Sequence, residues 1–298
     1  MLANILLSQQ LNIKNYSLNE GLPQSQVFAI EEDYKGFIWL GTRGGGICRF
    51  DGKNFETYTT DNGLLNNFIY DIKKGKLNGE NVLFIGTNSG LSIYNGKEFK
   101  NYLGPDGKTI TIYKIFFDRH YTWLATSRGI LNTPTSEHIN CITLMDEFIW
   151  FGTDKGLHRA EYFYKQDTVK VKTYGVAEGL TNLQVRNITT TRSGKVLICT
   201  YGGGLYILEN DKITNVSKSI LFKNKIIHDA IEDINGDVWI ATHDAGVMHW
   251  SVKNNQVKYI SINEGLSSNH VHSIYQDKNN NLWFGTSGGG LGKYSREE

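Results

Sequence analysis

The chain has 298 residues, of which 40% are hydrophobic, and its 31 basic and 30 acidic side chains give a formal net charge of +1 at pH 7. This balance argues against a general nucleic-acid footprint or a polybasic membrane patch, and no apolar run reaches the roughly 18 residues that a membrane span needs. The three cysteines form no CxxC pair, so we expect buried free thiols rather than a zinc site.

The first ten residues are apolar and then polar. They are consistent with the tail of a secretory leader or with an ordinary strand, and both alternatives stay open. We therefore treat residues 1–10 as a leader remnant or lead-in and residues 11–298 as one domain.

One short motif recurs through the rest of the chain. It is an apolar run that ends in Gly-Thr, Ala-Thr or Cys-Thr, and its seven copies close at Thr42, Thr87, Thr126, Thr153, Thr200, Thr242 and Thr286. A period of this size indicates a solenoid, a propeller or an array. No 3.6-residue periodicity accompanies the motif, which argues against helical repeats.

The first copy shows a complete repeat of four short apolar runs. They cover residues 27–30, 38–42, 47–50 and 55–58, and turn signals at 33–36, 44–46 and 51–53 separate them. Four short antiparallel strands joined by tight turns are one propeller blade. The sequence therefore predicts an all-β, seven-bladed β-propeller with four-stranded antiparallel blades.

Two copies depart from this pattern. Only 27 residues separate Thr126 from Thr153, which predicts a third blade with three strands or a minimal outer edge around residues 130–140. The seventh copy stops after its third strand, whereas residues 13–22 match an outer strand and the following link. We therefore expect the N-terminal strand to complete the last blade and close the ring, which hides both sheet edges.

The order Asn-Gly-Leu, Val-x-x-Ile, Asp-x-x-Gly, Trp-hydrophobic-Gly-Thr, Gly-Gly-Leu resembles the repeat of the two-component regulator propeller family. The match is clearest at residues 20–50 and 264–294 and weak in the third and fourth blades. The resemblance implies a periplasmic or otherwise extracytoplasmic sensor domain of a membrane histidine kinase or hybrid two-component system. The implied partners are a small-molecule or glycan ligand and the rest of a sensor kinase or another membrane signalling protein.

A candidate ligand-binding rim follows from strand direction. The loop between strands two and three and the link between blades lie at the same end of a blade, and loops on a rigid scaffold carry binding residues. Eight candidates fall there: Arg43, Arg128, Arg186, Tyr201, His228, His243, His270 and His272. Each arginine could grip a carboxylate or sulfate and Tyr201 could stack on a sugar, although solvated loop side chains would show the same variation.

The histidines raise two further hypotheses. If they converge, they could bind a metal or act as an acid/base pair, but we favour ordinary polar residues at the blade tops. The acidic turns at 233–237 and 277–281 resemble the start of calcium loops, yet they occupy a hairpin position and lack the downstream Glu. We expect no metal and no cofactor.

The sequence favours a ligand-sensing or binding propeller with no catalysis of its own. One alternative is a polysaccharide or small-molecule lyase with a channel-face histidine. A second alternative is a protein-interaction platform, which an exposed aromatic patch at one end would favour.

Overall fold

The computed structural model describes residues 11–117, 122–131, 138–145, 148–163, 168–218 and 226–295. Within these residues the chain forms seven antiparallel sheets, six with four strands and one with three. The prediction of a seven-bladed all-β propeller is confirmed. The question of a leader in residues 1–10 lies outside the described residues. No helix in the described part of the chain is long and apolar enough to cross a membrane.

The blades follow one another in chain order, and strand one of each blade lies nearest the central channel. Blades I and II are β2 (Val27–Glu32), β3 (Ile38–Thr42), β4 (Ile47–Phe50), β5 (Phe55–Tyr58) and β6 (Ile69–Leu77), β7 (Glu80–Thr87), β8 (Leu91–Tyr94), β9 (Phe99–Tyr102). Blades III and IV are β10 (Ile112–Phe117), β11 (Thr122–Thr126), β12 (Gly129–Leu131) and β13 (Cys141–Met145), β14 (Phe148–Thr153), β15 (Gly156–Phe163), β16 (Thr168–Tyr174).

The remaining three blades repeat this arrangement. Blades V and VI are β17 (Val185–Thr190), β18 (Val196–Thr200), β19 (Gly204–Glu209), β20 (Lys212–Asn215) and β21 (Ile227–Glu232), β22 (Val238–Thr242), β23 (Val247–Ser251), β24 (Gln256–Ile260). Blade VII is β25 (Val271–Gln276), β26 (Leu282–Thr286), β27 (Leu291–Tyr294) and the N-terminal β1 (Ile13–Tyr16). Short 3₁₀ helices cover Leu18–Glu20, Thr60–Asn62, Val176–Glu178, Val216–Lys218 and Ile262–Glu264.

The two predicted departures are both present. Blade III has three strands among the described residues, although positions 132–137 of its expected outer edge lie outside them. In blade VII, β1 pairs antiparallel with β27, with Ile13 opposite Tyr294 and Tyr16 opposite Leu291. The N-terminal strand thus completes the last blade, and the expectation of ring closure is confirmed.

In blades I, VI and VII one aspartate carboxylate fixes the turn between strands one and two. In blade VI, Asp233 Oδ1 accepts from the backbone N–H of Asn235 and Asp237, while Oδ2 accepts from Trp239 Nε1 at 2.6 Å. Asp33 with Trp39 and Asp277 with Trp283 repeat this pattern. The aspartate therefore caps its turn and orients the tryptophan six residues later, which supports the hairpin interpretation over a calcium loop.

The closing threonines hold the turn between strands two and three. Thr42 Oγ1 donates to the carbonyl of Gly46 at 2.8 Å and accepts from the N–H of Gly45 at 3.1 Å. Gly46 has φ +81, and a Cβ there would lie 2.2 Å from the carbonyl oxygen of Tyr58. The repeated threonine and glycine are thus requirements of a tight turn, not phosphate-binding features.

The core lies between neighbouring blades. Trp39, Trp123, Trp150, Trp239 and Trp283 are all at most 3% exposed. Trp39 of blade I, for example, packs with Leu64, Ile69 and Tyr94 of blade II. The strand tryptophans thus pack in the core between neighbouring blades, and Cys48, Cys141 and Cys199 are buried and free as expected.

Candidate functional site

The first strands of all seven blades surround a central cavity of about 420 Å³. Its wall carries charge: Lys114 Nζ lies 3.7 Å from Asp71 Oδ1, and Asp229 accepts from Asn187 Nδ2 at 2.5 Å. Burial raises the pKa of Asp229, although Lys114 and these hydrogen bonds act in the opposite direction. The channel wall thus holds several paired polar groups, although Ser273 Oγ and Gln276 Nε2 have no hydrogen-bond partner among the described residues.

A ring of seven side chains, here termed the collar, surrounds one mouth of the channel. Each collar residue follows the buried Val or Ile that begins a first strand or lies just before it. The seven members, all half-buried, are Phe28, Tyr70, Tyr113, Asn140, Arg186, His228 and His272. Neighbouring members touch: the ring centroids of Phe28 and His272 are 4.3 Å apart, and those of Tyr70 and Tyr113 are 5.1 Å apart.

The collar follows from a β-bulge repeated in six blades. The pairing register shifts between residues one and three of the first strand, as between Val27 and Ala29 or between Ile227 and Asp229. The residue between them, Phe28 or His228, is left unpaired, and a bulge of this kind redirects a side chain. The fold thus places one freely variable side chain per blade at the mouth.

The loops between strands two and three lie at this same mouth. The backbone N–H of the residue after the closing threonine donates to the residue before strand one: Arg43 to Gln26, and Tyr201 to Gln184. His243 donates likewise to Ile226, at 3.0 Å. The expectation that these loops and the inter-blade links share one end is confirmed.

Blades VI and VII bring four histidines together. His228 and His272 are their collar residues, His270 precedes β25, and His243 follows Thr242. The ring centroids of His243 and His270 are 4.0 Å apart, and His228 Nε2 lies 3.3 Å from His243 Nδ1. The four histidines therefore converge, because adjacent blades place equivalent positions side by side, and convergence was the condition for a metal site or an acid/base pair.

Most of these imidazoles are neutral at pH 7. Burial, followed by the charges of His270, His243 and Arg186, lowers the pKa of His228 to about 4. Burial and the neighbouring histidines lower the pKa of His272 to about 3, and burial and His243 also lower the pKa of His270. A neutral imidazole offers one unprotonated nitrogen to a ligand or a metal.

The three arginines and Tyr201 occupy three separate locations at this end of the propeller. The Arg186 guanidinium lies 5.1 Å from the ring centroid of Tyr201 and 3.7 Å from Asp154 Oδ1. Arg43 lies 5.9 Å from the ring centroid of Phe28, next to the histidines. Arg128 is engaged elsewhere, since it donates to Asp106 Oδ2 and to the Thr109 carbonyl, each at 2.9 Å. The eight predicted residues thus share one end, but Arg128 makes its contacts away from the other seven.

Sequence reasoning missed four collar residues: Phe28, Tyr70, Tyr113 and Asn140. The signal was present, because the first strands align as Val-Phe-Ala-Ile, Ile-Tyr-Asp-Ile, Ile-Tyr-Lys-Ile, Ile-Asn-Cys-Ile, Val-Arg-Asn-Ile, Ile-His-Asp-Ala and Val-His-Ser-Ile. The second residue of each strand varies, whereas its neighbours are buried. Ordinary strand alternation assigns this second residue to one face of the sheet, but it does not reveal the bulge that turns the side chain toward the channel mouth.

Comparison with known proteins places these features in context. The two-component regulator propeller family model matches residues 21–44 and 265–288, which confirms the resemblance seen in the repeats. The extracellular domain of a putative hybrid two component system from B. thetaiotaomicron is similar, with a TM-score of 0.79 and 24% identity over 97% of this chain and 42% of that chain. A second extracellular domain of a putative hybrid two component system from B. thetaiotaomicron gives 0.77 and 23%, over 97% and 40%.

Virginiamycin B lyase from Staphylococcus aureus has the same fold at lower identity. Its TM-score is 0.70 with 15% identity, over 96% of this chain and 99% of that chain. No curated protein sequence matches this chain. At these identities the solved structures establish the propeller fold, and this chain spans less than half the length of the two extracellular domains.

Proposed function

We propose that this chain, which carries two-component regulator propeller repeats, is the ligand-binding propeller of an extracytoplasmic, periplasmic sensor and binds its ligand at the collar. The observation that carries the proposal is a heterogeneous, half-buried ring of side chains on a repeating frame. The partner that receives the signal is the rest of a sensor kinase or another membrane signalling protein. Catalysis is not part of this role.

The collar chemistry suits a glycan or another small polar molecule. Phe28, Tyr70 and Tyr113 offer aromatic faces, and Tyr201 is 43% exposed beside Arg186. Aromatic faces pack on the apolar face of a sugar ring, and an arginine fork recognises a carboxylate or sulfate. These groups differ from blade to blade, so they can distinguish the two ends and the two faces of a ligand.

The opposite mouth is a poorer candidate. In three blades its turns share one Asp-capped geometry, at Asp33, Asp233 and Asp277, and exposed side chains such as Lys35 and Asn235 lie there. A surface that repeats from blade to blade provides little discrimination between ligands.

The test is a calorimetric screen of the full chain against neutral, sulfated and uronate oligosaccharides. Arg186→Ala, Tyr201→Ala and Phe28→Ala should each weaken the best binder by about 10- to 100-fold, or about 1–3 kcal/mol. Lys35→Ala and Asn235→Ala are matched controls at the opposite mouth, and Arg128→Ala is a control on the same side. Loss of binding in the Lys35 or Asn235 variant, with the collar variants unchanged, would refute the proposal.

A lyase remains the second candidate because His228, His243 and His270 meet its geometric requirement: their candidate nitrogen atoms lie within 4.8 Å of one another. Against it, a pKa of about 4 makes His228 a weak base at neutral pH, whereas an effective general base has a pKa near the working pH. Incubation of the chain with uronate polysaccharides, followed by ultraviolet absorbance, would detect the unsaturated product of elimination. Its formation, and its loss in His243→Ala, would favour the enzyme.

A further inference from the structure

Three histidine rings present nitrogen atoms to one point at the channel mouth. The candidate ligand atoms of His228, His243 and His270 all lie within 4.8 Å of one another. Zinc–imidazole bonds of about 2.0–2.1 Å at tetrahedral angles place two ligand nitrogens about 3.3–3.4 Å apart. The 3.3 Å separation of His228 Nε2 and His243 Nδ1 has this value already.

We propose that His228, His243 and His270 bind one divalent late transition-metal ion of the Zn²⁺, Ni²⁺ or Cu²⁺ type. Imidazole nitrogen suits these ions, whereas Mg²⁺ and Ca²⁺ require oxygen ligands. Three protein ligands leave a position open for water or for an oxygen atom of a second ligand. The site concerns the metal alone, so it stands whether or not the collar binds a glycan.

His270 provides an independent observation. Its Nε2 atom is buried and has no hydrogen-bond partner among the described residues. Buried polar atoms are nearly always satisfied, so an orphan nitrogen beside two other imidazoles indicates a missing partner. A hydrogen bond between His228 and His243 alone would explain their distance but would leave His270 unsatisfied.

The surroundings hold the three rings in place. The ring centroid of His272 lies 4.6 Å from that of His228 and 4.5 Å from that of His270, and His272 also packs edge-on against Phe28 at 4.3 Å. The backbone of His270 is fixed by Ser268 Oγ at 3.1 Å and by the N–H of Ser287 at 2.9 Å. A bound ion would therefore draw the side chains together without moving the strands.

Two positive charges lie nearby and must be accommodated. Arg186 is partly neutralised by Asp154 at 3.7 Å, and Arg43 lies over the Phe28 ring. Both guanidinium groups disfavour a bare cation but favour an anionic group at the open coordination position.

The experiment titrates the tag-free full chain with Zn²⁺ by calorimetry and with Co²⁺ by visible absorption, since Co²⁺ bands report coordination geometry. We expect one Zn²⁺ per chain and a tetrahedral Co²⁺ spectrum. His228→Ala, His243→Ala and His270→Ala should each weaken Zn²⁺ binding by about 100-fold or more, because loss of a group that only hydrogen-bonds to a metal ligand already costs about 10- to 100-fold.

His138→Ala is the matched control, since His138 is an exposed histidine of the same end that stacks on Tyr113. It should leave Zn²⁺ binding unchanged. Circular dichroism verifies folding, and His→Gln at the same position repeats the test for any alanine variant that fails to fold. No uptake of Zn²⁺ or Co²⁺, or uptake that any of the three substitutions leaves unchanged, would overturn the assignment.

Discussion

Ring closure can be tested through Tyr16, the last residue of β1. Tyr16 is 6% exposed, and its ring centroid lies 4.9 Å from that of Phe50 and 6.4 Å from that of Trp283. It thus joins blade VII to blade I. Truncation of a buried aromatic residue to alanine costs about 3–5 kcal/mol, so Tyr16→Ala should lower the free energy of unfolding by that amount.

Tyr102 supplies a matched control in blade II. It ends outer strand β9 opposite Leu91, as Tyr16 ends β1 opposite Leu291, but it is 39% exposed. Tyr102→Ala should therefore cost about 1 kcal/mol or less. Denaturant unfolding followed by circular dichroism measures both variants. If Tyr16→Ala is no more destabilising than Tyr102→Ala, the N-terminal strand does not hold the ring closed.

Three further outcomes are expected. Asp277→Asn should lower the free energy of unfolding by about 1–3 kcal/mol, because an amide has one oxygen and cannot accept both from the turn backbone and from Trp283 Nε1. A change below about 0.5 kcal/mol in denaturant unfolding would show that Asp277 does not hold the turn and the tryptophan. Gly290→Ala should lower the melting temperature more than Gly288→Ala. Both glycines have positive φ, but only at Gly290 would a Cβ lie 2.2 Å from a backbone oxygen, which belongs to Tyr16. Equal decreases in melting temperature would refute this expectation. Burial raises the pKa of Cys48 and Cys141 to about 12 and also raises the pKa of Cys199. A thiol reagent at pH 8 should therefore label the folded chain far more slowly than the unfolded chain. Equal labelling rates would place a thiol at the surface.

Much of the fold could be predicted because the repeats encode local turn chemistry. The aspartate and threonine side chains each satisfy backbone groups within a few residues, and the threonine accordingly returns in all seven copies and the aspartate in three. The closure of the ring could also be predicted from the sequence, since residues 13–22 match an outer strand that the seventh copy lacks. Both predictions depend on contacts that are local in the sequence or that recur in each blade.

The site was less predictable because it depends on contacts between blades. His228 and His272 are 44 positions apart, and only the angular spacing of blades VI and VII places their ring centroids 4.6 Å apart. The engagement of Arg128 by Asp106 likewise depends on a loop conformation that the repeat pattern does not specify. Sequence reasoning placed the eight candidate residues at one end of the propeller but did not show which side chains meet there.

The most direct test of the account is hydrogen–deuterium exchange on the full chain, with and without the tightest oligosaccharide of the screen. Binding at the collar predicts slower exchange in residues 24–28, 182–187, 226–229 and 268–272, with no change in the turns at 33–36, 233–237 and 277–281. Protection confined to those turns would contradict the account.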